Sequence, residues 1–380
     1  MADRGAGFVG DITYQFEYAE RIPCAFIGAG GHSYRNVYPS FQYAPVELLA
    51  VCDLDVARAR EYTRKFGAAR AYADHHEMLE RERPAAVFIV TGYDDDGRVQ
   101  ATRLALDCLA AGAHVWMEKP TAASLEEVHR LRAASATADR FVMTGLKKVF
   151  TPAMEKTKAI ISSPEFGAVS SIAVRYPQSL PPPERRHDLR EMRGFLDHIY
   201  HPAAILSYLM GPVSRFSHEW EPVGGGSTAS LRFASGAVGT LHLAAGGAAT
   251  SPLERVEVIG EGANVVVDNS VRLTYYRRGG RLPYGRAPSY VVDDEYAALT
   301  WEPEFSLGQL YNKNLFYLGY VPEILHFCES ILTKTPPAKG TLEDAGAIME
   351  LFEAYQSIPP GTVVELPLDR PHSRRMDGDH

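Results

Sequence analysis

The stretch Pro23–Ser33, PCAFIGAGGHS, decides the fold. Its first half, PCAFIG, is a short apolar run that reads as a β-strand, and it runs straight into Gly28-Ala29-Gly30-Gly31-His32-Ser33. A strand ending in G-x-G-x-x-[small residue] at the start of a helix is the turn on which dinucleotide-binding folds hold a pyrophosphate. The first glycine permits the tight turn and the second lets backbone approach phosphate. The third position must be small so that helix and strand can pack, and Ser33 can serve there. Backbone N–H groups and the dipole at the helix start then face the negative charge.

The next strand, Val46–Cys52 (VELLAVC), delivers Asp53, 20 residues past Ser33. A carboxylate at that spacing hydrogen-bonds a ribose 2′-hydroxyl and repels a 2′-phosphate, so NAD is preferred over NADP. Ala85–Val90 (AAVFIV), His114–Met117 (HVWM) and Phe141–Thr144 (FVMT) continue the series. Between them, 56–66 and 98–111 carry helical spacing, as with Val99, Thr102, Leu106 and Leu109. Continuous apolar runs separated by helices predict a parallel sheet covered on both faces, a doubly wound α/β Rossmann domain over residues 21–147. His114–Met117 ends in Glu118-Lys119-Pro120, and the carboxyl end of a strand in such a sheet points at the ligand crevice. Proline fixes the backbone beside Lys119, a cis bond being one way to do so. An ammonium held in one direction can donate to the oxygen of an alcohol or carbonyl being interconverted.

After Gly145 the texture changes. STASLRF (Ser227–Phe233), the turn Ser235–Gly236 and AVGTLHL (Ala237–Leu243) read as one antiparallel hairpin. Val256–Ile259, the turn Gly260–Gly262, Val265–Val267 and Val271–Tyr276 read as another. Helical patterns cover Asp197–Met210 and Pro322–Thr333. Residues 148–367 therefore read as an α+β domain with an open, mostly antiparallel sheet, and later helices packing back on the first domain. Residues 278–309 lack a period and read as a long loop. Residues 1–20 form an N-terminal extension in which Ile12, Tyr14, Phe16 and Tyr18 alternate like an added strand, while Met1–Gly10 and the tail 368–380 read as disordered.

With 380 residues, 46% hydrophobic and 23% charged, the composition is that of a globular protein of one or two domains and excludes collagen, coiled coil and wholesale disorder. Lys plus Arg number 39 against 47 Asp plus Glu, and a net charge of −8 argues against a nucleic-acid binder. The four cysteines (Cys24, Cys52, Cys108, Cys328) stand far apart, three of them in apolar segments, which suits a reducing compartment. Neither a signal-peptide pattern nor an apolar run near the ~18 residues needed to span a bilayer is found, so no membrane is expected and the location expected is cytoplasmic.

Taken together, FIGAGG, Asp53 and Glu118-Lys119-Pro120 resemble the Gfo/Idh/MocA oxidoreductase family, from Ile22 to about Leu366. The resemblance implies NAD(H)-dependent interconversion of a secondary alcohol and a ketone on a sugar, cyclitol or sugar-derived substrate. It implies an Asp and a His four residues apart at the start of a second-domain helix, matched here by Asp197 and His201. Spacing of i, i+4 puts both on one helix face, where His can accept a hydroxyl proton. Nucleotide contacts then fall on Gly28, Ala29, Gly30, Gly31, His32, Ser33, Asp53, Thr91, Gly92 and Glu118. Lys119, Asp197 and His201 form the catalytic set, and Lys148 and Tyr176 join them as substrate contacts. The family relation also implies a homodimer or homotetramer packed through the C-terminal sheet.

The chain departs from the family pattern in two places. Ile199 stands where a glycine is usual between the Asp and the His. After the fourth strand, Thr91-Gly92-Tyr93-Asp94-Asp95-Asp96 replaces Thr-Pro-Asn with a His soon after, which questions any side-chain contact from that loop. Other features take the plain reading. His75-His76, with no carboxylate at ligand spacing, is not expected to bind metal. Lys147-Lys148 would ordinarily be solvated, and Arg185, Arg186, Arg190 and Arg193 read as a solvated face, with an anion contact from one arginine the alternative. Two other functions share these residues: an NAD-dependent glycosidase that retains its cofactor, and a non-catalytic NAD-sensing regulator.

Overall fold

The computed structural model describes residues 18–248, 250–251, 253–279, 296–302 and 314–367. Six strands make the first sheet: β1 (Ile22–Ile27), β2 (Val46–Cys52), β3 (Arg70–Tyr72), β4 (Ala86–Ile89), β5 (His114–Glu118) and β6 (Val142–Gly145). They are all parallel, in the order β3-β2-β1-β4-β5-β6. Helices α1 (Val56–Phe66), α2 (His75–Glu82), α3 (Gln100–Ala110) and α4 (Leu125–Ala138) connect the strands. Because helices cover such a sheet on both faces, Phe26, Val87, Phe88 and Trp116 are buried completely. Short polar residues start the helices where the chain leaves a strand: Asp55 accepts from the N–H groups of Ala57 and Arg58, Asp74 from Glu77, and Ser124 from Glu127. Strand order reverses between β1 and β4, and the crevice that binds ligands in such sheets opens there, beside Gly28 and Val90–Gly92.

The helix expected after the glycine turn is irregular. It is under-wound over Ser33–Val37 and over-wound over Tyr38–Tyr43. Pro39 offers no N–H to a regular ladder, and Tyr38 instead stacks on Phe26, ring centres 4.1 Å apart.

The second sheet has nine strands: β7 (Ser171–Tyr176), β8 (Val213–Trp220), β9 (Ser227–Phe233), β10 (Val238–Leu243), β11 (Arg255–Ile259), β12 (Asn264–Asp268), β13 (Arg272–Tyr276), β14 (Leu299–Trp301) and β15 (Val364–Glu365). Their order is β14-β13-β12-β11-β7-β10-β9-β8-β15, antiparallel except where β7 meets β10. Along β9 buried and exposed residues alternate strictly, so one face of the sheet packs inward and the other stays open. Helix α5 (Pro152–Ile161) packs against β12 and β13, and α6 (Leu189–Met210) against β7. After the single turn α7 (Asn314–Tyr317) come α8 (Tyr320–Thr333) and α9 (Leu342–Ser357), which return to the first half of the chain. The Thr144 N–H donates to the Gly340 carbonyl at 2.7 Å, and the Leu125 N–H to Glu353 Oε1 at 2.8 Å.

Several elements differ from the sequence reading. Strands β3, β7, β8 and β15 were not expected, and β14 lies inside the stretch read as a long loop. Helix α6 starts at Leu189, not 197, because Asp188 caps it by accepting from the Arg190 N–H, so Asp197 sits in the helix interior. The strand expected over residues 12–18 falls almost wholly outside the described residues, as do Met1–Gly10 and 368–380. All four cysteines are buried free thiols. Among the described residues no helix is long and apolar enough to cross a membrane.

Candidate active site

The glycine turn is closed by its own side chains. Ser33 Oγ donates to the Gly28 carbonyl at 2.8 Å from a fully buried position. Gly28 has φ +104°, and a Cβ there would lie 1.9 Å from the Val90 carbonyl oxygen. At Gly30 a Cβ would meet nothing within 4 Å, so the backbone is open to a ligand on that side. Asp53 is held against the turn: Oδ2 accepts from the Ala29 N–H at 2.7 Å and Oδ1 from the Asp55 N–H at 2.9 Å. A cavity of about 450 Å³ is lined by Gly28, Gly30, Asp53, Thr91, Gly92 and His75, among others. Open backbone at a helix start, with a carboxylate beside it, is the donor and acceptor set a dinucleotide needs, so the residues present fit that cofactor.

At the other end of the crevice β5 delivers Glu118 and Lys119, followed by a cis Lys119–Pro120 bond. Lys119 Nζ donates to Asp197 Oδ1 of α6 at 2.9 Å, joining the two halves of the chain. One turn along α6 lies His201, partly buried, its ring centre 6.0 Å from that of Tyr176. Burial, then the ammonium groups of Lys119, Lys148 and Lys147, hold its imidazole well below the usual histidine range. Burial and the Glu254 and Asp197 carboxylates keep Tyr176 protonated. Lys119, Asp197, His201 and Tyr176, drawn from both lobes, therefore share one locality, and Lys148 adds its charge to it.

Lys147 and Lys148 are not the solvated pair that sequence alone suggests. Lys148 Nζ pairs with the buried Glu254 at 2.5 Å, and Ser270 Oγ donates to the same carboxylate oxygen at 2.6 Å. Lys147 Nζ donates to Tyr320 Oη of α8 at 3.0 Å. Tyr320 Oη lies 3.3 Å from His32 Nε2, which in turn lies 3.6 Å from Glu118 Oε1. The His32 ring thus faces Glu118 and Tyr320 at the Lys119 end of the crevice. Burial first, then the positive charge of Lys147, Lys119 and Arg35, brings its pKa down to about 4.

Tyr93 was not expected to contribute, yet burial and the neighbouring Asp197 carboxylate both keep it protonated, and its Oη donates to the Arg193 carbonyl at 3.4 Å. The departure at Thr91–Asp96 was the signal available for it. The arginine run is only partly solvated: Arg186 is 1% exposed, with Nε donating to the Pro181 carbonyl at 2.8 Å and Nη1 to the Tyr355 carbonyl at 3.1 Å. Its alternative reading as an anion contact has no support from that buried position.

Glu118 is 8% exposed, and burial pushes its carboxyl up to about 7 despite the opposing charges of Lys119 and Lys147. Its ordinary value is 4.5, so between those values the folded chain keeps a proton that the unfolded chain has lost. This contribution to stability is complete below the ordinary value and is lost as pH rises through about 7. Glu118→Gln is expected to be more stable than the parent near pH 8, by up to about 3 kcal/mol, and close to it near pH 5. Urea unfolding at the two pH values checks this, and an equal difference at both refutes the assignment.

Residues 22–146 match the family model for an oxidoreductase family with an NAD-binding Rossmann fold, and residues 154–266 match the GFO/IDH/MocA C-terminal domain. The chain is 28% identical over 338 residues to myo-inositol 2-dehydrogenase of Thermotoga maritima, covering 84% of this chain and 91% of that one. It is 26% identical over 150 residues to trans-1,2-dihydrobenzene-1,2-diol dehydrogenase of Sus scrofa, 40% of this chain and 43% of that protein. The fold superposes with TM-score 0.73 on an oxidoreductase from Agrobacterium radiobacter solved with NAD+, L-tartaric acid and magnesium, at 16% identity, covering 91% of this chain and 98% of that one.

Proposed function

The chain belongs to the Gfo/Idh/MocA oxidoreductase family, and from that premise we propose that it is an NAD(H)-dependent dehydrogenase interconverting a secondary alcohol and a ketone on a sugar, cyclitol or sugar-derived substrate. The observation that carries this reading is the 2.9 Å contact between Lys119 and Asp197 across the crevice, with an uncharged His201 one turn further on. Lys119 donates to the reacting oxygen and stabilises the negative charge that gathers there. Asp197 keeps the ammonium aimed. His201 accepts the hydroxyl proton, and because burial and then three lysines disfavour the resulting imidazolium, Asp197 takes that proton onward. Bound nicotinamide supplies the carbon that exchanges hydride with the substrate. Residues 21–147 act as the nucleotide lobe and 148–367 as the substrate lobe, with Tyr176 and Lys148 lining the substrate side.

Asp53 supports NAD over NADP, since a carboxylate at the end of the second strand, held beside the glycine turn, repels a 2′-phosphate. Val238, Ile259 and Tyr276 lie exposed on the open face of the second sheet and support association of copies through it.

The test is NADH formation from NAD+ and a panel of cyclitols, aldoses and sugar acids, repeated with NADP+. Expected is substrate-dependent NADH release, with a higher kcat/KM for NAD+ than for NADP+. Release of sugar from an aryl glycoside added to the panel, with no net NADH, assigns the retained-cofactor glycosidase chemistry instead. Tight NAD binding with no turnover on any of the panel assigns a regulator.

A further inference from the structure

Asp107 of α3 stands 32 residues after His75 of α2, and the fold brings it to the His75-His76 pair. The sequence offers the two histidines no carboxylate at ligand spacing; the fold supplies one from a distant part of the chain. His75 Nε2 lies 2.9 Å from Asp107 Oδ2, and His76 Nε2 lies 3.8 Å from the same oxygen. The three ligand atoms all fall within 4.8 Å of one another. Consecutive helical residues ordinarily diverge by about 100° around the axis. Here both rings turn the same way, centres 4.0 Å apart and 36° from parallel, so that both Nε2 atoms face one carboxylate.

We propose that His75, His76 and Asp107 form a binding site for a divalent transition ion of the zinc class. Two imidazole nitrogens and one carboxylate oxygen suit a borderline-soft ion that takes four ligands, and not magnesium or calcium, which call for oxygen throughout. Four-coordinate ligand atoms about 2.0–2.1 Å from such an ion stand roughly 3.3 Å apart, so the pairs at 2.9 and 3.8 Å need shifts of only tenths of an ångström. The His75 side chain is 13% exposed, Asp107 30% and His76 63%, which leaves an open side for entry and for water as the remaining ligand. Asp107 lies in the last turn of α3, where the carbonyl end of the helix favours a cation and opposes the unfavourable start of α2.

Without metal, one of the two groups must contribute the proton of the 2.9 Å contact. With metal, both histidines bind through Nε2, any proton on that nitrogen moves to Nδ1 or leaves, and acid weakens binding by competing for the same atoms. His75 also lines the nucleotide cavity, so the ion would fix one wall of it.

The experiment is calorimetric titration of tag-free, nucleotide-free protein with zinc chloride, with magnesium chloride as control. One equivalent of zinc is expected to bind, with no magnesium binding in the same range. His76→Ala, at an exposed position that the fold does not need, and Asp107→Asn should each weaken zinc binding by about tenfold or more. No saturable zinc binding to the parent protein, or titrations unchanged in both variants, overturns the proposal. Because nucleotide and sugar are absent from this titration, its outcome is independent of the dehydrogenase reading.

Discussion

Lys119→Ala is expected to lower kcat by about 10³-fold while changing the dissociation constant for NAD by less than about threefold. The ammonium reaches out of the nucleotide lobe to Asp197 at 2.9 Å, so its hydrogen bond is made across the crevice. Its removal takes away the proposed donor to the reacting oxygen and one of the charges that, after burial, hold His201 neutral. The fold should tolerate the change: the Asp197 side chain is 34% exposed, and water can replace its lost partner. Steady-state kinetics alongside a nucleotide titration check both parts. A parallel loss of binding and turnover would make Lys119 a cofactor clamp instead.

The second large effect is structural and separates two glycines of one turn. Gly28→Ala should destabilise the protein by more than about 3 kcal/mol. The new Cβ would fall 1.9 Å from the Val90 carbonyl oxygen at a φ of +104°, and neither strand can give way. The Gly28 N–H is bonded to Cys52 at 2.8 Å and the Val90 N–H to Ile27 at 2.9 Å, so the turn is tied to strands on both sides. Gly30→Ala should leave stability within about 0.5 kcal/mol, since nothing lies within 4 Å of its Cβ, yet weaken NAD binding by filling the space the phosphates approach. Chemical unfolding and nucleotide titration of both variants decide this. Equal stability losses would refute the account of the turn.

How much of this was legible in the chain depends on whether the relevant contacts are local. Strands β1, β2, β4, β5 and β6 announce themselves as apolar runs because the covered sheet buries them, whereas β3, a short Arg-Ala-Tyr at the sheet edge, carries no such run; α1 is bounded by Asp55 and Gly67, a cap and a left-handed stop. Strand β7 has an alternating pattern but no hairpin neighbour: its partners β10 and β11 come from far later in the chain, and nothing near Ser171–Tyr176 signals them. Strand β8 carries Arg215, His218 and Glu219, which obscure its apolar side. The same rule governs the site. Gly28, Ser33 and Asp53 were readable from spacing within one βαβ unit. The Lys148–Glu254 pair spans 106 residues and the Lys147–Tyr320 contact 173, so neither lysine could be told from a solvated one. The position of His201 was inferred through the family pattern, but its neutrality comes first from burial and then from three lysines, an environment that only the fold assembles.

The two bonds that carry the end of the chain back to its beginning, Thr144 to Gly340 and Leu125 to Glu353, bear on how such proteins can be recombined. A chimaera that exchanges only the first 147 residues for those of a relative would seat a foreign α4 against the native α9, and Leu125, Val128 and Leu131 would meet an ill-matched surface. An exchange that also carries residues 340–357 keeps that seam intact, so the inheritable unit of this architecture is discontinuous along the chain.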